Sequence, residues 1–246
     1  MLKTEIKIYK NAFLLGDAFA DEFYKKSKEY SKNKINFNVA LSGGKTPVMI
    51  FEILSLRFEK KINWKNIQFY WVDERSVPPY DNESNYGMAK KLLLDNIDIP
   101  HSNIHRIKGE EKPGQEALRY SDEIISNVPF ENGLPSLDLV MLGLGEDGHT
   151  ASIFPNQIQL INSDKICDVS VNPYTNQKRI TLTGTIINNA KTILFVVSGS
   201  KKKEIVSKIL NKSDGYKGLP ASKINPVFGE MQWMLDADAA SLLNKN

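Results

Sequence analysis

Four short segments of the chain are apolar at mostly consecutive positions: residues 35–41 (INFNVAL), 67–72 (IQFYWV), 137–142 (LDLVML) and 192–197 (TILFVV). A strand with one face in water alternates apolar and polar residues, whereas a strand covered on both faces is apolar almost throughout. The pattern therefore predicts four strands that are buried on both faces.

Longer amphipathic segments separate these runs. They have helical spacing and cover residues 12–30, 47–60, 85–96, 113–126, 201–210 and 236–243. Strands that alternate with helices predict an α/β fold, with a largely parallel twisted sheet and helices on both faces. Because no internal repeat or Pro/Gly/Ser-rich linker divides the sequence, we expect a single domain over residues 1–246.

Three of the predicted strands run directly into polar sequences, which are SGGKTP (42–47), DERSVP (73–78) and GLGEDGHTAS (143–152). The carboxyl ends of parallel strands lie at one edge of a sheet, and ligands bind beyond that edge. We therefore expect the three polar loops to meet at a common rim.

The first loop has the features of a phosphate site. Gly43 and Gly44 allow a tight turn that brings backbone N–H groups close to a ligand. Thr46 is a favourable helix N-cap and Pro47 suits the first helical position, so we expect free amides to face the pocket there. On this loop alone, an ordinary strand-to-helix turn without a ligand is favoured over a phosphate site, because glycine-rich turns are common.

The second loop places three consecutive charges, Asp73, Glu74 and Arg75, directly after a buried strand. Charged side chains directly after a buried strand need ion-pair or hydrogen-bond partners or a functional role, because burying an unpaired charge is costly. Catalytic residues and a solvated, salt-bridged turn both fit the local sequence.

The third loop contains GxGxxG, formed by Gly143, Gly145 and Gly148. A dinucleotide fingerprint belongs in an early strand–turn–helix unit, where its amides approach a pyrophosphate. Here the motif lies past the middle of the chain, and the acidic residues Glu146 and Asp147 would repel a pyrophosphate. The sequence therefore disfavours an NAD(P) cofactor.

The same loop carries His149, one of three histidines in the chain. A histidine beside carboxylates at a glycine-rich strand end can act as a general base with an orienting partner. A structural histidine is the alternative, but the shared rim favours catalysis. His101 and His105 lie in a plain connecting segment.

Composition narrows the function classes. The net charge is +3, which gives little basis for a nucleic-acid or membrane partner. Cys167 is the single cysteine, so no disulfide forms within the chain, and we expect a small residue in a partly buried strand there. With neither zinc-type spacing nor an apolar leader, we expect a cytoplasmic protein without metal or cofactor, as a monomer or weak homodimer.

Taken in order, the motifs resemble those of the 6-phosphogluconolactonase family, which belongs to a wider group containing glucosamine-6-phosphate deaminases. The resemblance runs from about residue 6 to residue 243. It is carried by VALSGGKTP (39–47), NWKNIQFYWVDERSVPPYDNESNYGMAKKLLLD (63–95), LDLVMLGLGEDGHTASIFP (137–155), RITLTGTIINNA (179–190), FVVSGSKKKEIV (195–206), LPASKI (219–224) and WMLDADAA (233–240). DERSVP…SNY together with GxGEDGHTASxFP is the most specific part.

The resemblance implies a Rossmann-like, glucosamine-6-phosphate deaminase-like fold. It also implies an enzyme that hydrolyses 6-phospho-glucono-1,5-lactone, a small sugar phosphate, to 6-phosphogluconate in the oxidative pentose phosphate pathway. The substrate phosphate would meet residues that match the family's phosphate site: Ser42, Gly43, Gly44, Thr46, Arg179 and Lys202.

The catalytic roles are implied in the same way. His149 matches the catalytic histidine, which takes a proton from the attacking water, and Arg75 matches the pocket arginine, which we expect to stabilise charge on the carbonyl oxygen. Asp147 or Glu146 would fix the histidine tautomer, and Asp73 would shape the field of the pocket.

Two other functions compete with this one. A deaminase-type isomerase carries a glutamate five residues after the motif histidine, where this chain has Phe154, and reads DEY where this chain has DER. A sugar-phosphate sensor without turnover would have no need to keep His149 and Arg75. The sequence therefore favours the hydrolase.

Overall fold

The computed structural model describes residues 4–244. In chain order the strands are β1 (Thr4–Tyr9), β2 (Phe37–Leu41), β3 (Ile67–Trp71), β4 (Asp73–Arg75), β5 (Phe130–Glu131), β6 (Leu134–Pro135), β7 (Leu139–Leu142), β8 (Cys167–Val171), β9 (Lys178–Leu182), β10 (Thr192–Val197) and β11 (Glu230–Asp236).

The α-helices are α1 (Ala12–Lys32), α2 (Lys45–Phe58), α3 (Asn85–Leu92), α4 (Pro113–Asn127), α5 (Gly184–Asn188) and α6 (Lys203–Leu210). Short 3-10 segments cover Trp64–Asn66, Leu94–Asn96, His101–Asn103, Pro155–Asn162, Ser200–Lys202, Tyr216–Gly218 and Pro220–Lys223. Among the residues described, no helix has the length and apolar character needed to cross a membrane.

The main sheet is parallel, as predicted. Its six strands follow the order β1-β11-β10-β7-β2-β3, and every neighbouring pair is parallel. All residues of β2, β7 and β10 are buried, because helices cover both faces of the sheet. Continuous apolar runs therefore identified the central strands correctly.

Both strands at the β1 side of the sheet escaped prediction. β1 (TEIKIY) alternates polar and apolar residues and is largely exposed. Its neighbour β11 (EMQWMLD) contains a polar residue within its apolar stretch. The helix predicted over residues 236–243 is wrong: Asp236 ends β11 and turns follow, where its carboxylate accepts a hydrogen bond from the backbone N–H of Ala239 at 2.8 Å.

The start of α2 also differs from the prediction. Gly44, with φ of 109°, is the N-cap, so the helix begins at Lys45 and Thr46 lies inside its first turn. Thr46 is therefore not the cap, and Pro47 is the third helical residue. Since its hydroxyl is not needed for capping, Thr46 reaches another loop and lies 2.8 Å from the hydroxyl of Ser198.

The DER sequence is a strand and not a loop. It forms β4, which joins β9 and β8 in a separate three-stranded antiparallel sheet. In this pairing Asp73 lies opposite Thr181 and Arg75 lies opposite Arg179. Cys167 is buried at the start of β8, as expected for a small strand residue.

Candidate active site

A pocket of about 990 Å³ opens beyond the carboxyl ends of β2, β7 and β10. This volume lies at the upper end of the usual range for small-molecule sites. The pocket brings together every site residue predicted from the sequence: Ser42, Gly43, Gly44, Thr46, Asp73, Arg75, Asp147, His149, Arg179 and Lys202. The three polar segments therefore share one rim, although the second of them reaches it as a strand.

One end of the pocket is built from two glycine turns. The turn after β2 has no side-chain cap at Gly44, so the first amides of α2 are free. The turn after β10 contains Gly199 with φ of 94°, and its N–H donates to both carboxylate oxygens of Asp236 at 3.0 Å. The hydrogen bond between Thr46 and Ser198 ties the two turns together.

Lys202 is half-buried beside these turns. Burial lowers the pKa of its ammonium group, and the negative charges of Glu146 and Asp147 act in the opposite direction. Lys45 and Lys201 line the same pocket and are exposed. This end combines free amides with positive charge, which is the combination that holds a phosphate group.

Gly43 is a glycine because a neighbouring side chain occupies the space of a Cβ. A Cβ at this position would overlap the side-chain amide of Asn85. That amide donates to the backbone carbonyl of Asp73 at 2.9 Å, so it links the first turn to β4. Asn85 is therefore part of the site framework, and its place in the SNY sequence is the signal that marks it.

The third loop brings the imidazole of His149 into the same pocket. Its Nδ1 lies 2.5 Å from Oδ1 of Asp147, and that oxygen also accepts the backbone N–H of His149 at 3.1 Å. Burial on its own would raise the pKa of the Asp147 carboxyl, but the contacts with His149 outweigh it and hold the pKa at about 2. Glu146 is exposed. The structure thus places Asp147, and not Glu146, against the histidine.

The glycines of the third loop make room for this pair. A Cβ at Gly145 would overlap both the His149 ring and the Asp147 carboxylate, and Gly148 has φ of 83°. Gly145 is therefore required by close packing against His149, and Gly148 by its positive φ and by the side chain of Leu219. The ring of Phe154 lies 4.7 Å from the His149 ring and fixes its other side.

Asp73 is buried and lines the pocket. Its Oδ2 accepts the hydroxyl of Ser152 at 2.5 Å and lies 4.0 Å from Nη1 of Arg179. Burial lowers the pKa of the Arg179 guanidinium, Asp73 raises it, and Arg75 lowers it. Glu83 and Glu74 raise it as well, so the field at Arg179 is set by three carboxylates and the neighbouring Arg75.

Arg75 and Arg179 are cross-strand neighbours on β4 and β9. Nη1 of Arg75 donates to the backbone carbonyl of Glu83. The Nε atoms of both arginines are buried without a hydrogen-bond partner among residues 4–244. Both residues line the pocket, so two adjacent guanidinium groups give this wall a positive charge that attracts an anion.

Glu74, between Asp73 and Arg75, is a structural residue. It is buried, and its two carboxylate oxygens accept hydrogen bonds from the backbone N–H groups of Asn85 and Tyr86 at 2.8 Å and from the hydroxyl of Ser84 at 3.0 Å. Burial raises its pKa and these hydrogen bonds oppose the rise. A carboxylate at a helix N-terminus is stabilised there, so Glu74 anchors α3.

Sequence reasoning passed over several pocket residues. Ser198 follows a predicted strand and was open to prediction as a strand-end residue. Ser152, in the third loop, is fully buried and does not line the pocket itself, but it donates to Asp73, which does. Tyr174 lines the pocket from the hairpin between β8 and β9 and has no sequence signal of its own. Within the described part of the chain, no group of three or more His, Cys, Asp or Glu side chains is arranged to hold a metal ion.

This fold and pocket define an α/β sugar-phosphate enzyme with a histidine–carboxylate pair. A family model described as glucosamine-6-phosphate isomerases/6-phosphogluconolactonase matches residues 10–233. The chain belongs to this family. A 6-phosphogluconolactonase from Haemophilus influenzae is 40% identical over 228 residues, which cover 92% of this chain and 94% of that protein.

Solved structures agree with the family. The 6-phosphogluconolactonase of Trypanosoma brucei superposes with a TM-score of 0.87 at 26% identity, covering 99% of this chain and 100% of that one. A monomeric glucosamine-6-phosphate deaminase superposes with a TM-score of 0.81 at 22% identity, covering 97% and 100%. The second likeness concerns the fold alone.

Proposed function

We propose that this enzyme hydrolyses 6-phospho-glucono-1,5-lactone to 6-phosphogluconate in the oxidative pentose phosphate pathway, by general-base activation of water. The observation that carries the proposal is the contact between His149 Nδ1 and Asp147 in the pocket that also contains the two glycine turns. The relatives named 6-phosphogluconolactonase support the choice of substrate.

His149 takes the proton of the attacking water. The Asp147 carboxylate is ionised at neutral pH, since its pKa is about 2. It therefore accepts a hydrogen bond from Nδ1–H of His149, which leaves Nε2 without a proton and able to accept one. No other described side chain competes for Nε2 by hydrogen bonding.

The water oxygen forms a bond to the lactone carbonyl carbon, and the carbonyl electron pair moves onto its oxygen. Arg75 is our candidate to stabilise that charge, because its guanidinium group carries a positive charge and lines the pocket. One donor of this kind is typically worth about a hundred- to a thousandfold in rate. When the intermediate collapses, the ring C–O bond breaks and protonated His149 gives its proton to the departing ring oxygen.

The phosphate group binds where the two glycine turns and Lys202 line the pocket. The free amides of the turn at Gly43 and Gly44, the hydroxyl of Thr46 and the Lys202 ammonium face it, with Ser42 at the base of the turn and Arg179 contributing positive charge. Asp73 balances the arginine pair. Holding the phosphate fixes the distance of the lactone from His149, which lowers the entropic part of the barrier.

The alternative functions fit this site less well. A deaminase-type isomerase needs a carboxylate where the buried ring of Phe154 packs on His149. A sensor would not require a histidine held by an ionised carboxylate beside the ligand. We further propose that residues 1–246 act as one domain, in the cytoplasm, as a monomer or weak homodimer without a nucleic-acid or membrane partner, a proposal supported by the small net charge of +3.

The test is a lactonase assay with the lactone generated in situ, coupled to NADPH formation by 6-phosphogluconate dehydrogenase and corrected for spontaneous hydrolysis. Wild type is compared with His149→Ala and with a control, His101→Ala, whose histidine is exposed outside the pocket. We expect wild type and the control to accelerate hydrolysis equally and His149→Ala to lose the acceleration. A wild type that matches the uncatalysed rate, while 6-phosphogluconate still raises its Tm, would establish the sensor instead.

A further inference from the structure

Tyr174 lines the pocket, yet the mechanism above gives it no part. Its side chain lies in the hairpin between β8 and β9 and is largely exposed, with 71% of its surface accessible. Its hydroxyl nevertheless donates a hydrogen bond to Oδ2 of Asp147 at 3.1 Å. This is the carboxylate oxygen that His149 leaves free, since His149 uses Oδ1.

The hairpin itself holds Tyr174 in place, although the ring is not buried. Oδ1 of Asn172 accepts the backbone N–H groups of Tyr174 at 2.9 Å and of Thr175 at 3.3 Å. The backbone N–H of Asn172 donates to the carbonyl of Gln177, and Asn176 adopts a φ of 56°. Side-chain to backbone bonds of this kind fix a turn locally, so the phenol has a defined position over the pocket.

The hairpin is also tied to the arginine side of the pocket. Nε2 of Gln177 donates to the carboxylate of Glu83 at 2.8 Å. The backbone carbonyl of the same Glu83 accepts Nη1 of Arg75. The segment that carries Tyr174 therefore contacts both His149's partner and Arg75's partner.

We propose that Tyr174 is a positioning residue, which holds the plane of the Asp147 carboxylate so that Oδ1 stays on Nδ1 of His149. A carboxylate bound at both oxygens has one orientation, whereas a partly exposed carboxylate bound at one oxygen exchanges that contact with water. The consequence is a single histidine tautomer with Nε2 free for the water. This inference rests on the proposed lactonase function.

The test begins with Tyr174→Phe, which keeps the ring and removes the hydroxyl. We expect kcat to fall about three- to tenfold, the range for one lost hydrogen bond, with KM unchanged. Tyr80→Phe is the matched control, because Tyr80 is 87% exposed and lies outside this pocket. Equal kcat in wild type and Tyr174→Phe would overturn the inference.

A double-mutant cycle separates positioning from a general structural effect. If Tyr174 acts through Asp147, adding Tyr174→Phe to Asp147→Asn causes no further loss of kcat. Losses that multiply would show an independent role for the phenol and overturn the inference.

Nitrogen-15 NMR of the histidine side chains gives a readout that does not depend on turnover. We expect wild-type His149, assigned with His149→Gln, to show one tautomer with the proton on Nδ1, and Tyr174→Phe to show a mixture. An unchanged tautomer in Tyr174→Phe would contradict the positioning role even in an active enzyme. If wild type lacks lactonase activity while the tautomer still depends on Tyr174, the proposed reaction fails and the positioning stands.

Discussion

Two histidines of this chain, His105 and His149, contact a carboxylate, but they differ in whether the second ring nitrogen also has a partner. His105 Nδ1 lies 2.6 Å from Glu123 and its Nε2 lies 2.9 Å from Oε1 of Gln68, while the ring stacks on Tyr70 at 4.5 Å. His149 Nδ1 lies 2.5 Å from Asp147, but its side chain is 27% exposed, compared with 7% for His105.

The difference shows what a carboxylate partner does and does not decide. At His105 both ring nitrogens have partners, so the ring joins the helix α4 to β3 and is closed to a substrate. At His149 one nitrogen is held and the other faces a cavity. A histidine–carboxylate pair is therefore chemically available only when its second nitrogen opens onto space for a substrate.

The largest expected effect comes from replacing the available histidine. His149→Leu removes the general base, and we expect kcat to fall about 10²- to 10⁴-fold, the usual contribution of such a group. The free energy of unfolding should change little, because Asp147 keeps Tyr174 and access to water. The coupled assay and urea denaturation measure both quantities, and a stable variant with wild-type kcat would refute the role of His149.

The second-largest expected effect comes from replacing Asp147, the carboxylate that contacts His149. Asp147→Asn keeps the shape but removes the charge that selects the tautomer with Nε2 free, so we expect kcat to fall about ten- to a hundredfold. Glu146→Gln serves as the control, because Glu146 lies next to Asp147 in the same loop and is exposed. If Glu146→Gln caused the larger loss, the assignment of the orienting carboxylate would have to be reversed.

Replacing His105, whose two ring nitrogens both have partners, should lower the stability of the protein and leave its activity unchanged. His105→Leu removes the contact with Gln68 and one of the two partners of Glu123, which keeps Arg119, and an unsatisfied polar group costs about 1–3 kcal/mol. We expect the free energy of unfolding to fall by that amount while kcat stays at the wild-type value. A His105→Leu enzyme of normal stability but low kcat would break the comparison between the two histidines.

The smallest effect concerns pH and the phosphate end. Because burial lowers the pKa of Lys202, its positive charge is lost at a lower pH than that of an ordinary lysine. Phosphate binds the charged form, so we expect affinity for 6-phosphogluconate to weaken as pH rises through this lowered pKa. Titration calorimetry of wild type, Lys202→Arg and the exposed control Lys201→Arg measures it.

Lys202→Arg should keep its affinity over the same alkaline range, since arginine remains charged. Lys201→Arg should lose affinity as wild type does. If all three proteins gave the same profile, the lysine that meets the phosphate would not be Lys202.

Sequence patterns predicted the centre of the fold and the location of the site for the same reason. The strands β2, β3, β7 and β10 are buried, so their apolar runs are continuous, and the sequences that follow β2, β3 and β7 meet at one rim. The edge strand β1 is exposed and β4 consists of charged residues, so neither has the apolar signature of a strand. The prediction of Thr46 as the N-cap of α2 was wrong, because Gly44, two residues earlier, takes that position.

The fine structure of the site was harder to predict. His149 was separated from His105 by its glycine-rich loop, but the choice between Asp147 and Glu146 needed the direction of each side chain. Tyr174 reaches Asp147 across 27 positions of sequence through a hairpin. Such a contact is set by how a second sheet packs against the first, which no local pattern encodes.

The position of β1 has a consequence for how the chain is made. Within residues 4–244, β1 pairs with β11 and with no other strand, so its first hydrogen-bonding partner begins at Glu230. At roughly 5–20 residues per second, a ribosome takes on the order of 10–45 s to travel from one strand to the other. During that interval β1 has no strand to pair with, whereas the segments between β1 and β11 can already fold. The main sheet therefore cannot be completed until β11 has been synthesised, and a nascent chain stalled before residue 230 would expose a strand edge on which chaperones or aggregation would act.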